Sequence, residues 1–199
     1  GEFGFINRIR RGCLIRPEAV IRGIGDDAAA FRTDGRLVAL ITTDLLVERV
    51  HFLREAISGL DLGYKSLAVN LSDIAAMGGT AREAFVSIAI PEDCGLTYLE
   101  NIFEGMKGLA AEFAVNILGG DTTGSMADLV INVAVYGVVP ESEILTRDAA
   151  AAGDVVFSTG FLGDSRAGLH LILGKASADT READLLRQQR VVPNLRVAV

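Results

Sequence analysis

Four acidic groups stand at the ends of apolar stretches in this chain: Gly25-Asp26-Asp27, Thr42-Thr43-Asp44, Asn70-Leu71-Ser72-Asp73 and Gly119-Gly120-Asp121-Thr122-Thr123. Each sets carboxylates beside glycines or hydroxyls, away from any basic run. Oxygen donors of this kind suit Mg2+, a hard ion that takes one or two protein carboxylates, keeps several waters and binds phosphate oxygens. Four separate groups imply more than one ion, or one cluster fed from several loops. Sulfur and imidazole do not offer a rival site. Cys13 and Cys94 are far apart, and His51 and His170 have no zinc-type spacing. The pattern therefore reads as magnesium held against the phosphates of a nucleotide.

Composition limits the alternatives. The chain has 199 residues, half of them hydrophobic, which is enough for a sizeable core. Its 19 basic and 26 acidic residues leave a net charge of −7. Such a protein repels a phosphate backbone, so nucleic acid is not an expected partner. It would repel a polyphosphate too, unless cations came with it, and bound magnesium removes that conflict. The longest apolar run, Leu129 to Val139, is broken by Asn132, Tyr136 and Gly137 and falls short of the roughly 20 residues that span a bilayer. No membrane partner is expected. Two unpaired cysteines suit a reducing compartment, and the cytoplasm is the expected location.

Periodicity predicts a mixed α and β fold. Glu2 to Arg11 reads as a short amphipathic helix, and Leu37 to Thr43 as a buried strand that delivers Asp44 at its end. Asp61 to Met77 reads as a helix stopped by Gly78-Gly79, with Ser66, Asn70 and Asp73 pointing polar groups one way. Ala84 to Ile90 is a strand. Thr97 to Phe113 is a helix with Thr97 and Glu100 placed as a capping box. Val115 to Leu118 is a short strand running into the Gly-Gly-Asp group, and Leu129 to Val139 a long one closed by Pro140. Beyond Arg147, Val155 to Thr159 reads as a strand and Gly163-Asp164-Ser165 as the start of a helix. The three main strands carry more apolar surface than two helices cover on one face, which predicts a partner on the other.

The same residues carry a resemblance. Gly23-Ile24-Gly25-Asp26-Asp27-Ala28-Ala29, Thr42-Thr43-Asp44-Leu45-Leu46-Val47 with Val50-His51-Phe52, the run Tyr64 to Gly78, Gly119-Gly120-Asp121-Thr122-Thr123 and Leu145-Thr146-Arg147 follow in that order. Together they resemble the thiamine-monophosphate kinases of the aminoimidazole-ribotide-synthetase-like superfamily, from about residue 2 onward. Five ordered motifs make the match specific.

The resemblance implies an α/β (α+β) two-domain protein. Residues 1–140 would form an N-terminal ATP- and magnesium-binding domain, with a mixed sheet and flanking helices, that dimerises through its sheet. Residues 148–199 would begin a C-terminal α+β domain. The implied reaction is phosphorylation of thiamine monophosphate to thiamine diphosphate by ATP with several Mg2+ ions. Asp27, Thr42, Thr43, Asp44, Asp73 and Asp121 fall on the family's magnesium ligands. Gly120, Asp121 and Arg147 fall on its ATP contacts, and His51 on a contact to thiamine. No nucleophilic motif is present, so no catalytic side chain is assigned and direct in-line transfer is expected.

There are two departures from the family pattern. Gly124 stands where the family usually has arginine, so one phosphate-directed charge is absent. Family members also continue with Asp-x-Ser-Asp-Gly-Leu and Gly-Gly-Glu-Asp-Tyr segments, which complete the metal site and thiamine pocket, so the chain is expected to be a truncated piece.

Each feature also has a plainer reading. Asp26-Asp27 alone would be a solvated turn, Thr43-Asp44 a loop polar group, Asp73 a surface charge, Gly119-Gly120-Asp121 a tight turn, and His51 a packed core residue. Selenophosphate synthetase, a hydrogenase-maturation dehydratase and aminoimidazole ribotide synthetase share the nucleotide and metal layout. A third possibility is an inactive dimerising fragment that only binds nucleotide.

Overall fold

The computed structural model describes residues 2–158 and 162–191. Its centre is a six-stranded sheet of β1 (Val20–Arg22), β2 (Ala29–Arg32), β3 (Leu37–Val47), β4 (Thr80–Pro91), β5 (Asn116–Ser125) and β6 (Val130–Pro140), in the order β1-β2-β3-β6-β4-β5. Only β4 and β5 run parallel. A parallel pair needs a long crossover, and helix α3 (Leu96–Glu112) provides it. The other helices are α1 (Glu2–Ile9), α2 (Gly59–Ala76), α4 (Asp164–Ile172) and α5 (Thr180–Val191). The fold is the expected mixed sheet with helices.

Alternation decides where the core sits. Ile131, Val133, Val135 and Val139 on β6 are buried, as are Val38, Leu40 and Leu46 on β3. They join Leu67, Leu71 and Ile74 of α2 and Met106 of α3 in one core. Among the described residues no helix covers the opposite face, and Leu37, Ile41, Leu45 and Phe85 are exposed there. Helices α2 and α3 approach each other through glycines. A Cβ on Gly63 would lie 1.8 Å from the Ile102 carbonyl oxygen, and one on Gly105 would lie 2.0 Å from that of Leu60.

Several boundaries differ from the sequence reading. Strand β3 continues past Thr43 to Val47, so Asp44 lies inside the strand, because its full length pairs with β6. The strand expected to end at Leu118 extends through Gly119–Thr123, so the Gly-Gly-Asp group is part of an edge strand hydrogen-bonded to β4 and not the tight turn of the plainer reading. Thr97 is not a cap. Gly95 occupies that position with no side-chain bond, so the capping box does not form. Ser58 caps α2 instead, its Oγ accepting from the Asp61 N–H. No strand forms over residues 155–158, where Val155, Val156 and Phe157 are exposed, and Thr159 lies outside the described residues, as does residue 192 onward. The short strands β1 and β2 and the helix α5 were not anticipated. Among the described residues no helix is long and apolar enough to cross a membrane.

Gly63→Ala should destabilise the protein by about 1–3 kcal/mol through overpacking. On α3, Gly108 has nothing within 4 Å of its Cβ direction, and Gly108→Ala should gain about 0.5–1 kcal/mol. Urea midpoints at unchanged slope measure both.

Candidate functional site

Strand β3 divides its polar residues between the two faces of the sheet, since successive side chains point to opposite sides. Thr42 and Asp44 alternate with buried Leu40 and Leu46 on the helix-covered face. Thr43 and Leu45 face the open side, where the Asn132 Nδ2 donates to Thr43 Oγ1 at 2.8 Å. Thr42 is buried and its hydroxyl donates to Asp73 Oδ2 on α2 at 2.7 Å. The shared face proposed for Ser66, Asn70 and Asp73 is divided in the same way. Ser66 and Asn70 turn into the interior and bond back to the Leu62 and Ser66 carbonyls, while Asp73 reaches the rim.

Asp27 enters the same region from the loop before β2. It is held by Arg147, whose Nε donates to Asp27 Oδ1 at 3.1 Å and whose Nη2 also bonds that oxygen. The Arg147 backbone N–H reaches Asp26 Oδ2 at 3.4 Å. The adjoining Asp148 pairs with Arg22 at 2.6 Å, fixing this segment against the sheet.

Charge in this corner is poorly compensated. Burial pushes the Asp44 carboxyl above its ordinary value, partly offset by His51. Burial also raises Asp73; the Thr42 hydroxyl opposes that, Asp44 and Asp27 raise it further, and Arg147 lowers it. These are oxygen donors suited to a hard cation, and they repel one another without it. Among the described residues no three acidic, histidine or cysteine side chains are arranged to hold a metal ion as they stand.

Asp121 is not in this cluster. It pairs in register with Ser87, Ser87 with Asn132, and Asn132 with Leu45, which places it on the open face three strands from β3. Its neighbour Gly120 has φ 150° and lies so close to β4 that a Cβ would fall 1.6 Å from the Val86 oxygen. Strand packing alone accounts for that glycine. Of the sequence candidates, then, Asp27, Thr42, Asp44, Asp73 and Arg147 come together, while Thr43, Gly120 and Asp121 lie elsewhere.

His51 follows β3 in a loop entered through Arg49, a non-glycine residue at φ 64°. Its Nδ1 accepts from the Val47 N–H at 2.9 Å, so a neutral ring carries its proton on Nε2. The ring is exposed and borders a cleft of about 200 Å³ with Phe52, Leu53, Ile57, Leu169 and Leu173. A second cleft of about 240 Å³ adjoins it and is lined by Asp44, His51, Lys65 and Val69. It links the acid cluster to the His51 cleft. Lys65 was not among the site residues singled out from the sequence, although its spacing from Val69 and Asp73 sets all three on one stripe of α2. The α4 residues carried no advance signal.

The family model for AIR synthase related protein, N-terminal domain, matches residues 25–139. The chain belongs to this family. The AIR synthase related match takes in the loop of Asp27, strand β3, helix α2 and the Gly-Gly-Asp edge strand. Thiamine-monophosphate kinase of Bacillus subtilis (strain 168) is 37% identical over 200 residues, which is 100% of this chain and 61% of that protein. The enzyme of Escherichia coli (strain K12) is 36% identical over 202 residues, 99% of this chain and 60% of that one. The solved structure of AaThiL complexed with AMPPCP and TMP superposes with a TM-score of 0.87 at 34% identity, over 99% of this chain and 60% of that one. The chain thus spans about 60% of the length of these relatives.

The raised carboxyls set a stability test. A folded-state pKa above the unfolded value means that the native state holds protons longer, so the associated stability is full below the ordinary value of 3.8 and is lost as pH rises through the raised folded values. Asp44→Asn should therefore raise the urea midpoint at pH 7 in EDTA, and reduce any gain in midpoint on adding Mg2+. An unchanged midpoint in EDTA would show that the cluster carries no net repulsion.

Proposed function

We propose that the protein carrying this chain phosphorylates thiamine monophosphate to thiamine diphosphate with ATP. The observation that carries this reading is that Asp44, which clusters with Asp27 and Asp73, lines a cleft that shares His51 with the largely apolar cleft beside it. One end suits metal-bound phosphates and the other a small aromatic acceptor. Identities of 36–37% to two thiamine-monophosphate kinases, over nearly the whole chain, support the acceptor over those of selenophosphate synthetase, a hydrogenase-maturation dehydratase or aminoimidazole ribotide synthetase.

Asp27, Asp44 and Asp73, with the Thr42 hydroxyl, are the residues that would hold magnesium. When bound, it neutralises phosphate charge and orients the phosphates. Arg147 contacts ATP after exchanging its bond to Asp27 for a phosphate. In the transfer, an ionised oxygen of the acceptor phosphate forms a bond to the γ-phosphorus of ATP as the bond to the β–γ bridging oxygen breaks, leaving ADP. No proton has to be removed from that oxygen, so the chain needs no general base. Its work is positioning and charge compensation.

The AIR synthase related domain at residues 1–140 is proposed to dimerise through its open sheet face, with the second domain beginning near residue 148 and the protein in the cytoplasm. Exposed Leu37, Ile41, Leu45 and Phe85 on that face support the dimer. Thr43, Gly120 and Asp121 share the open side or its edge, so their metal and ATP contacts are proposed to form where that face is covered. Gly124 leaves these contacts without the family's arginine.

In a coupled assay, the full-length protein should convert thiamine monophosphate with ATP, and Asp44→Asn or Asp73→Asn should each reduce kcat at least 100-fold with the fold intact. Full activity in both variants would remove the cluster from the mechanism. The 199-residue chain alone should bind Mg-ATP weakly without turnover. Light scattering at micromolar concentration should report a dimer, and Leu45→Lys should shift it to monomer. A monomeric parent protein would refute dimerisation.

A further inference from the structure

We infer that Asp26 and Arg22 are positioning residues for Arg147, an inference that rests on the proposed contact of Arg147 with ATP. Asp26 has no part in the transfer described above, yet its side chain is only 7% exposed. A carboxylate so little solvated needs donors from the protein. Its Oδ1 accepts from the Asp27 N–H at 3.0 Å and lies 3.9 Å from Arg147 Nε, and its Oδ2 accepts from the Arg147 N–H at 3.4 Å. Both oxygens are therefore taken up by the two residues proposed to meet metal and phosphate. Asp26 ties the loop before β2 to a segment 121 residues further along the chain.

Arg22 holds that segment at two further points. It is the last residue of β1, and its Nη2 donates to Asp148 Oδ1 at 2.6 Å and to Thr146 Oγ1 at 3.2 Å. The Thr146 hydroxyl donates in turn to Asp148 Oδ1 at 2.7 Å. The residues on either side of Arg147 are thus bound to one guanidinium, and Arg147 itself is bound to Asp26 through its backbone.

The backbone and the side chain of Arg147 use different acceptors. Its N–H goes to Asp26, whereas its Nε and Nη2 go to Asp27 Oδ1. The guanidinium is more than half exposed, so it can change partner from Asp27 to a phosphate while Asp26 and Arg22 keep the main chain in place. A guanidinium fork fixed at its root forms its bonds with less loss of freedom than one on an unanchored connection, and placement of charge is what in-line transfer asks of the protein. Loss of either hold leaves the cation present but misplaced.

The experiment measures Mg-ATP affinity by calorimetry on the full-length protein for Arg22→Gln and Arg22→Lys, each with Arg147 intact and with Arg147→Met. Arg22→Gln should weaken binding at least fivefold when Arg147 is intact and less than twofold in the Arg147→Met background, where nothing is left to position. Arg22→Lys keeps a cation opposite Asp148 and should recover most of the loss. Equal losses in the two backgrounds would overturn the proposal and leave Arg22 as a brace for the fold. Unchanged affinity with Arg147 intact would also overturn it. Amide exchange tests Asp26 without any ligand. The Arg147 amide should exchange at least tenfold faster in Asp26→Ala and in Arg22→Gln, with the amides of β6 unchanged, and an unaltered Arg147 rate in either variant refutes the part given to that residue. Where the β6 amides lose protection as well, Asp26→Asn is read in the same way. Failure of the parent to bind Mg-ATP would refute the functional reading, and the two holds are then judged on the exchange rates alone.

Discussion

The seating of helix α2 on the sheet is the constraint on which the rest of the structure depends. Gly63 and Gly105 let α2 and α3 pack backbone against backbone, and Gly79 and Gly137 make room for Leu40 and Ile74 between α2 and the strands. Any of these positions with a side chain would push α2 outward. The hydroxyl of Thr42 bonds Asp73 across that same contact at 2.7 Å, so helix placement and the geometry of the carboxylate cluster are one quantity. Lys65 is carried by the same helix, two turns earlier.

A core packed this well allows the rim to be electrostatically unfavourable. Asp44 and Asp73 are desolvated, and Asp44 and Asp27 further raise the cost of ionising Asp73, which Arg147 only partly offsets. A domain evolved for stability alone would place a neutral or opposite charge at one of these positions. Under the proposed function, a cation with phosphate would relieve that repulsion and so link ligand binding to stability in the AIR synthase related domain. The Arg147 guanidinium lies on Asp27 and is more than half exposed.

The loop after β3 is held separately. Glu48 is buried at 7% exposure, accepts from the Leu129 N–H at 2.9 Å and pairs with Arg54 at 3.1 Å, and Arg54 extends to Asp93 at 2.7 Å. This chain of ion pairs joins the ends of β3 and β4 with the start of β6. It keeps the segment bearing His51 and Phe52 at a fixed height above α2, which gives the apolar cleft its wall.

Much of the make-up of the carboxylate cluster was legible in the residues themselves. Carboxylates beside hydroxyls and glycines are oxygen donors whatever the fold, and the three-to-four spacing of Leu60, Tyr64, Leu67, Leu71 and Ala75 predicts α2 to within two residues of its start and one of its end. Strand extents were less legible, because pairing with β6 lengthens β3 past Asp44 and pairing with β4 turns Gly119–Thr123 from turn to strand. Alternation shows that Thr42 and Thr43 face opposite ways, yet only the packing of α2 says which face is inside. The separation of Asp121 from Asp44 follows from a strand order that places β6 and β4 between their strands, and strand order is set by contacts distant in sequence. Chemistry of the side chains was local and therefore readable. Their company was not, since it depends on which surfaces the whole chain buries together.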